Sequence, residues 1–373
     1  MVTAIYNATL YDSETKTALE GAAVLWENGI IIKAGQDIQL PDGCHAIDAG
    51  GAWVTPGFID GYSRIGLKET GIRKEGDDSY EISFSRNASS LSVLDGINPF
   101  DPSFQEAREY GITALHIGPG QENIISGTTS VLKPSGTTVE DMTLLPLLGA
   151  AVSLGEIPKA MKLAGAPVSR MGIAALVRDR LRTASTNHSD DLWSALFEEH
   201  RSIPLFIRAH RADDIVTALR LKREFGIQVV IVHATDGHLV SEAIAESGVP
   251  VIGGPYFIDR QRDEVKHVNP AAYVRMHEAG IPISFASDHP TSAIRYLALE
   301  ASLAIREGLP FTEALYGLTL GTARTLGIDH RVGSLTTGKD ADLLLWDGEP
   351  LELTSTISMT IINGSIAYER ERR

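Results

Sequence analysis

The chain has 373 residues, enough to bury a large core, and its 43% hydrophobic and 22% charged residues are typical of a soluble globular protein. Its formal net charge of -15 argues against nucleic acid or an anionic membrane as a partner, because both need a basic protein face. The single cysteine, Cys44, excludes an internal disulfide and a cysteine-rich zinc site. The sequence shows neither a signal peptide nor an apolar run long enough to span a bilayer, so we expect a cytoplasmic protein.

The two ends of the chain have strand patterns. In residues 1–54, short apolar runs are separated by turns, and Asn28-Gly29 between two such runs is a strong hairpin signal. The C-terminal end, residues 335–373, has the same character. We therefore predict that both ends form one small composite β-sandwich domain, which flanks a separate domain at residues 55–334.

The middle of the chain alternates between helices and strands. Four helical patterns each end at a glycine and lead into an apolar strand; the glycines are Gly111, Gly226, Gly248 and Gly280. This alternation predicts an α/β fold, the (β/α)8 TIM barrel, whose chemistry lies at the C-terminal ends of the strands. The polar segment 69–102 is predicted to be a long loop over that end of the barrel.

The first predicted barrel strand, Phe58-Ile59, ends in a polar cluster that includes Tyr62 and Arg64. Residues 54–68 resemble the first barrel strand of the amidohydrolase superfamily, where P-G-x-[IL]-D-x-H-x-H supplies two metal-binding histidines. Tyr62 and Arg64 stand at those two positions, and neither is a plausible zinc ligand. Arg64 also places a positive charge where a cation would lie. It is either the element that holds an anionic ligand or a solvated or ion-paired residue of an inactive site.

The C-terminal segment 333–343, GSLTTGKDADL, resembles a framework motif of the same superfamily, G-S-[IL]-x-x-G-K-x-A-D-[IL]. The resemblance implies structural roles, a turn conformation for Gly338 and an interdomain or turn hydrogen bond for Asp342. Lys133, which follows a glycine-rich stretch, is given no ligand role. These framework matches support the superfamily resemblance independently of the metal site.

Residues 204–215, PLFIRAHRADDI, resemble the imidazolonepropionase-related branch, in which the fifth strand ends H-A-H-R-A-D-D-I. The metal-binding first histidine of that motif is Arg208 here, and the second is His210. We predict that Arg208, His210, Arg64 and Tyr62 contact the substrate. Asp213 is predicted to be the N-cap of the following helix.

Two later strand ends keep the residues of the family motifs. The segment 233–238, HATDGH, resembles the sixth-strand signature H-x-T-[DE]-G-H and places His233 at a metal-ligand position. The segment 287–290, SDHP, resembles the eighth-strand motif, whose aspartate takes a proton from metal-bound water and can ligate the metal. We therefore predict Asp288 to be catalytic and, with His233, a metal ligand.

Alternative roles remain for the residues beside these positions. Asp288 is alternatively a helix N-cap or an ion-pair partner of Arg64 or Arg208. His238 and His289 are predicted to bind substrate at the mouth of the site.

The resemblance implies a protein related to hydrolases of cyclic amide C–N bonds, and three hypotheses follow. The first is a protein that lacks the metal centre, is inactive or altered, and binds a small anionic ligand. The second is a mononuclear hydrolase of a cyclic amide or N-acyl substrate, with one weakly bound zinc ion on His233 and Asp288. The third is a non-catalytic scaffold subunit. A homo-oligomer is expected in each case.

Overall fold

The computed structural model describes residues 1–72, 74–81, 88–161, 167–186, 192–198 and 202–371. In chain order the strands are β1 (Thr3–Asp12), β2 (Thr17–Glu27), β3 (Ile30–Gly35), β4 (His45–Asp48), β5 (Trp53–Pro56), β6 (Phe58–Ser63), β7 (Ile112–Ile117), β8 (Ile125–Leu132), β9 (Thr143–Ser153), β10 (Leu205–Ala209), β11 (Val229–His233), β12 (Val251–Gly253), β13 (Ile283–Phe285), β14 (Leu343–Trp346), β15 (Ile357–Ile362) and β16 (Ser365–Glu369).

The helices in chain order are α1 (Pro102–Glu109), α2 (Val139–Met142), α3 (Glu156–Ala160), α4 (Arg170–Thr186), α5 (Ala212–Phe225), α6 (Ser241–Ser247), α7 (Ala271–Glu278), α8 (Leu297–Arg306), α9 (Phe311–Leu318) and α10 (Leu320–Thr325). Short 3-10 helices lie at Lys74–Gly76, Val93–Gly96, Leu192–Phe197, Gly237–Leu239, Asp263–Val265 and Ile294–Tyr296. Within the described ranges, no helix is both long and apolar enough to cross a membrane.

The two ends of the chain form one eight-stranded sheet. Its order is β16-β15-β14-β5-β1-β2-β3, and β4 pairs with β1. Strand β5 joins the two ends, because it runs parallel to β1 on one side and antiparallel to β14 on the other. The predicted hairpin at Asn28-Gly29 connects β2 and β3, with positive φ angles of 50° and 79°. Strand β5 belongs to this sheet and continues to Pro56, past the predicted end of the first segment at residue 54. The domain boundaries at 54/55 and 334/335 stay predictions.

The other eight strands form the predicted barrel, in the order β6 to β13. The last strand returns to the first, because the Asp288 backbone N–H donates to the Tyr62 carbonyl at 3.0 Å. Large apolar side chains from the strands and the surrounding helices form its buried core. The TIM-barrel prediction is therefore confirmed.

One barrel strand departs from the regular pattern. Strand β8 is antiparallel to both of its neighbours, β7 and β9, whereas the other paired strands of this sheet are parallel. The connection from β7 to β8, residues 118–124, is shorter than the dozen or so residues that a parallel crossover needs. The chain therefore reverses at this point, and the connecting loop lies across the C-terminal end of the barrel.

The predicted helix ends are largely confirmed, and one helix start is corrected. Helices α5 and α6 end at Gly226 and Gly248, whose φ angles of 67° and 64° are left-handed. The prediction that Asp213 is an N-cap is wrong, because α5 begins at Ala212 and its N-cap is Arg211. Asp213 lies in the first turn instead, where a carboxylate is favoured by the helix dipole and pairs with Arg211 at 3.0 Å.

A buried ionic cluster joins the barrel to the terminal sheet. Nζ of Lys133 lies 2.7 Å from carboxylate oxygens of both Asp340 and Asp342. Asp342 also accepts a hydrogen bond from the Asn363 backbone N–H at 2.8 Å. The predicted interdomain role of Asp342 is thus confirmed, as is the turn at Gly338, whose φ angle is 92°.

The segment 69–102 is described except for residue 73 and residues 82–87. Its described part includes the 3-10 turns at Lys74–Gly76 and Val93–Gly96, and its Asp77 forms a β-bridge with Lys68, which directly precedes the segment. Thr70 Oγ1 lies 3.2 Å from His289 Nε2, just beyond the last barrel strand. The described part of this segment therefore reaches the C-terminal end of the barrel, as the sequence predicted.

Candidate functional site

The residues predicted from strand ends converge at the C-terminal end of the barrel. Tyr62 lies near the end of β6, and Arg64 directly follows that strand. Arg208 lies near the end of β10, and His210 directly follows it. His233 is the last residue of β11, and Asp288 follows β13. All six residues are buried, with between 0% and 6% of their surface exposed. Because parallel strands present their C-terminal ends at one edge, the sequence order alone brings these side chains together.

Arg64 and Asp288 form an ion pair at the point where the barrel closes. Arg64 Nε lies 3.4 Å from Asp288 Oδ1, and Arg64 Nη2 also donates to Thr291 Oγ1 at 2.7 Å. Burial is the largest single influence on the pKa of Arg64 and lowers it, but the charges of Asp288, Glu122 and other neighbours together outweigh burial, and the net shift is upward. Of the alternatives for Asp288, the structure supports the ion pair with Arg64.

Arg208 packs against the ring of Tyr62, which stands at another of the replaced ligand positions. Its guanidinium carbon lies 5.0 Å from the centre of the Tyr62 ring, and Nη2 donates short hydrogen bonds to the carbonyls of Pro119 and Gly120. Burial lowers the pKa of Arg208. Among the described residues, Nε and Nη1 of Arg208 find no hydrogen-bond acceptor. A buried guanidinium with two free donors is costly, because each donor has lost its water.

Tyr62 is held between these groups. Its hydroxyl donates to the Pro119 carbonyl at 3.1 Å, and its ring makes an edge contact with His116 at 4.9 Å between centroids. Burial raises the pKa of Tyr62 to about 12, so the hydroxyl stays protonated at neutral pH.

His210 and His233 stack face to face, with centroids 4.4 Å apart and rings 6° from parallel. His233 Nδ1 lies 2.8 Å from the Gly254 carbonyl, which can only accept, so this nitrogen carries the proton and the Nε2 lone pair faces the site. Burial and the charge of Arg208 lower the pKa of His233 to about 3. Burial and His233 lower the pKa of His210 well below its usual value, and its Nε2 has no partner within the described chain. Both rings are therefore neutral at neutral pH.

Two residues of the site were not predicted from the sequence, Gln121 and Glu122. The Gln121 amide nitrogen lies 3.4 Å from His233 Nε2 and 3.3 Å from Asp288 Oδ2. The charge of Glu122 contributes to the raised pKa of Arg64, and its buried Oε2 has no partner in the described ranges. The available signal was the polar run GPGQEN directly after the apolar strand β7.

His238 and His289 have partners other than the side chains of the central cluster. Burial and the charge of Arg275 lower the pKa of His238, whereas the charge of Asp236 and a hydrogen bond with the Thr235 backbone oppose the shift. His289 contacts Thr70 through Nε2 and accepts from the Ile294 backbone N–H through Nδ1 at 3.2 Å. Burial lowers the pKa of His289 to about 4. Their assignment to substrate binding stays a prediction.

Two buried carboxyl groups accept hydrogen bonds from residues that follow the barrel strands. Asp60 accepts from the Ser287 backbone N–H at 3.0 Å and from the Ser287 hydroxyl, which fixes the turn that carries Asp288. Glu300 accepts from the Tyr256 and Phe257 backbone N–H groups. Burial raises the pKa of each carboxyl group to about 7.

The side chains do not fit the usual catalytic zinc site, which has three protein ligands. Within the described residues, no three His, Cys, Asp or Glu side chains are placed to hold one ion. Gln121 lies between the two predicted ligands, His233 and Asp288, and Asp288 is already paired with a guanidinium. The guanidinium groups of Arg64 and Arg208 are themselves buried in this cluster.

Comparison with known proteins gives consistent matches. Residues 182–367 match the Amidohydrolase family. A crystal structure of an amidohydrolase from Thermotoga maritima MSB8 superposes with a TM-score of 0.92 at 32% identity, covering 99% of this chain and 100% of that one. The imidazolonepropionase of Acidiphilium cryptum (strain JF-5) is 27% identical over 90% of this chain and 89% of its own length. The amidohydrolase tasK of Hapsidospora irregularis is 26% identical over 93% of this chain, which spans only 40% of that protein.

Proposed function

Because this chain belongs to the amidohydrolase superfamily, in its imidazolonepropionase-related branch, we propose that its barrel binds a small anionic ligand and does not carry out metal-dependent hydrolysis. The observation that carries this proposal is the guanidinium of Arg208, a residue that is 2% exposed and whose Nε and Nη1 nitrogens have no acceptor in the described chain. A ligand oxygen would satisfy donors that the fold itself leaves unpaired.

The surrounding charges favour a carboxylate or phosphate group. Arg208 has no carboxylate within ion-pair distance among the described residues, whereas the charge of Arg64 is compensated by Asp288. Hydrogen bonds from a guanidinium to an anionic oxygen are roughly twice as strong as neutral ones. The neutral His210, whose Nε2 is free, supplies a further polar contact beside His233. A small carboxylate therefore suits the site better than a neutral amide.

A second candidate, mononuclear metal-dependent hydrolysis, is favoured by one observation. The hydrogen bond from His233 Nδ1 to the Gly254 carbonyl leaves the Nε2 lone pair directed into the site, and metal-binding histidines are commonly oriented in this way. Asp288 would then serve as base or ligand. This candidate requires the ion pair between Asp288 and Arg64 to open.

The first experiment measures metal content by elemental analysis and anion binding by calorimetry on the same untagged protein. Succinate and inorganic phosphate are the probes, in metal-free buffer. We expect much less than one metal ion per chain and saturable binding of at least one probe. The variant Arg208→Met should weaken that binding at least tenfold, which corresponds to about 1.4 kcal/mol.

The matched control is Arg220→Met, which removes the same charge from the exposed face of α5 and should leave binding unchanged. One metal ion per chain that disappears in His233→Ala would overturn the proposal in favour of the second candidate. That result would be followed by turnover assays on cyclic amides and N-acyl compounds with added zinc. Equal losses of anion affinity in Arg208→Met and Arg220→Met would also overturn it, since binding would then be nonspecific.

A further inference from the structure

The loop that carries Gln121 is anchored by Tyr62 and Arg208, two of the three side chains that stand at replaced ligand positions. The Tyr62 hydroxyl and Arg208 Nη2 both donate to the Pro119 carbonyl, and Arg208 Nη2 also donates to the Gly120 carbonyl. The Gly118 backbone N–H donates to the Ser63 carbonyl at 3.0 Å. Every residue before Gln121 in this loop is thus tied to the barrel, and the loop presents Gln121 to the centre of the site.

Gln121 then contacts the two positions that the family motifs mark as metal ligands. Its amide nitrogen is within hydrogen-bond distance of His233 Nε2 at 3.4 Å and of Asp288 Oδ2 at 3.3 Å. An amide NH2 group has two donor hydrogens and no acceptor, so it can bond both lone pairs at once. His233 Nε2 is an acceptor here, because its Nδ1 proton is held by the Gly254 carbonyl.

We propose that the Gln121 amide takes the place of a cation between His233 and Asp288 and closes the centre to metal ions. Tyr62 and Arg208 act as positioning residues that hold Gln121 there, so the substitutions at the ligand positions form one unit with the loop. The Asp288 carboxylate also contacts Arg64, through Nε at 3.4 Å and Nη2 at 3.4 Å. An entering metal would have to displace the amide and compete with a guanidinium. This inference rests on the proposed metal-free function.

The test reverses the polarity of the bridging group. Gln121→Glu replaces the donor nitrogen by a carboxylate oxygen, which would join His233 Nε2 and Asp288 Oδ2 as a third possible ligand. Zinc affinity is measured by calorimetry, and Co²⁺ coordination by visible absorption. We expect no saturable zinc binding by the wild type and one equivalent of zinc bound by Gln121→Glu. The zinc affinity of Gln121→Glu should be at least tenfold higher than any residual zinc affinity of the wild type. The binding should disappear when His233→Ala is added.

Gln228→Glu is the control, because it makes the same charge change at an exposed position. Gln121→His provides a second ligand-bearing variant, and thermal melting establishes that each variant is folded. Nitrogen NMR of the wild-type histidines gives a test without any substitution, since added zinc should leave the His233 Nε2 signal unmoved. The inference is overturned if zinc shifts that signal. It is also overturned if folded Gln121→Glu and Gln121→His bind zinc no better than Gln228→Glu.

Failure of the inference and failure of the proposed function are distinguishable. If the wild type binds neither succinate nor phosphate while Gln121→Glu gains a zinc ion, the anion proposal fails and the role of Gln121 stands. If the wild type binds an anion through Arg208 and Gln121→Glu gains nothing, the anion proposal stands and the role of Gln121 fails.

Discussion

Arg64 and Asp288 neutralise each other at the closing seam of the barrel, with Nε and Oδ1 3.4 Å apart and both side chains less than 8% exposed. The two residues come from opposite ends of the barrel sequence, one after β6 and one after β13. The only carboxylate that the family motifs mark as a base is therefore held by a positive charge. Removal of one partner of such a pair leaves the other charge buried without compensation, which destabilises the fold.

The first prediction concerns the stability of this pair. Arg64→Met should lower the free energy of unfolding by about 3–5 kcal/mol, because it leaves Asp288 buried without a countercharge. Denaturant unfolding measures the change. Arg182→Met removes one partner of an exposed pair with Asp179 and should change stability by less than about 1 kcal/mol. Similar losses in the two variants would contradict a desolvated pair, and adding Asp288→Asn to Arg64→Met should restore part of the loss.

The second prediction concerns the contact between Gly118 and Tyr62. A Cβ atom at Gly118 would lie 2.2 Å from the Tyr62 hydroxyl, so Gly118→Ala must displace a ring that packs under Arg208. We expect a stability loss of about 1–3 kcal/mol from overpacking and weaker binding of the anionic probe. Calorimetry and near-ultraviolet circular dichroism measure the two effects.

Gly226→Ala separates the two effects of Gly118→Ala. Gly226 has a left-handed φ of 67° and nothing within 4 Å of its Cβ position, far from the strand ends that form the site. The Gly226→Ala variant should lose about 1 kcal/mol of unfolding free energy through backbone strain, and its affinity for the anion should not change. Unchanged anion binding in Gly118→Ala would show that the position of the Tyr62 ring is unimportant to the ligand.

The framework of this site follows from local sequence patterns. His233 and Asp288 each follow a short apolar strand, and the order of strands in a barrel then places them at one end. The direction of β8 does not follow from such patterns, since an apolar strand has the same alternation in either orientation. It depends on the length of the 118–124 connection.

Gln121 was missed for a related reason. Its part of the loop has the polar and glycine-rich composition of any surface turn. Its contact with His233 lies next to the Pro119 carbonyl, which accepts hydrogen bonds from Tyr62 and Arg208. Contacts of this kind depend on three distant segments, and no local pattern encodes them. The misplaced N-cap at Asp213 is a smaller error, because the observed N-cap, Arg211, lies two residues earlier than the predicted one.

The third prediction concerns the ionic link between the barrel and the terminal sheet. Lys133→Met leaves Asp342 buried without its cation, whereas Asp340 keeps Arg331 at 2.8 Å. We expect a loss of about 3–5 kcal/mol in the free energy of unfolding. Hydrogen exchange should also accelerate in β14 to β16. Adding Asp342→Asn should recover part of the loss, because the amide oxygen can still accept from the Asn363 backbone N–H. No recovery would indicate that Lys133 acts through packing alone.

The last prediction concerns the pH dependence that Glu300 gives to stability. Burial raises the pKa of Glu300 from 4.5 to about 7, although hydrogen bonds from Tyr256 and Phe257 oppose the shift. Between pH 4.5 and 7 the folded state therefore binds a proton more tightly than the unfolded state. The contribution of Glu300 to the free energy of unfolding therefore falls as the pH rises through this window, by about 3 kcal/mol in total, and is constant above it.

Glu300→Gln removes this titration and keeps the Oε1 contacts, in which the backbone N–H groups of Tyr256 at 3.0 Å and Phe257 at 2.7 Å donate. The second contact of the Tyr256 N–H, with Oε2 at 2.9 Å, is lost at every pH and so adds no pH dependence. The stability of the variant relative to the wild type should increase from pH 4.5 to pH 7 and then level off. Asp60 also has a pKa of about 7, but it is present in both proteins and its direct contribution largely cancels in the difference. Glu307→Gln, at the exposed end of α8, should show no such trend. A difference that is flat with pH would mean that Glu300 titrates near its ordinary value and is solvated in the folded protein.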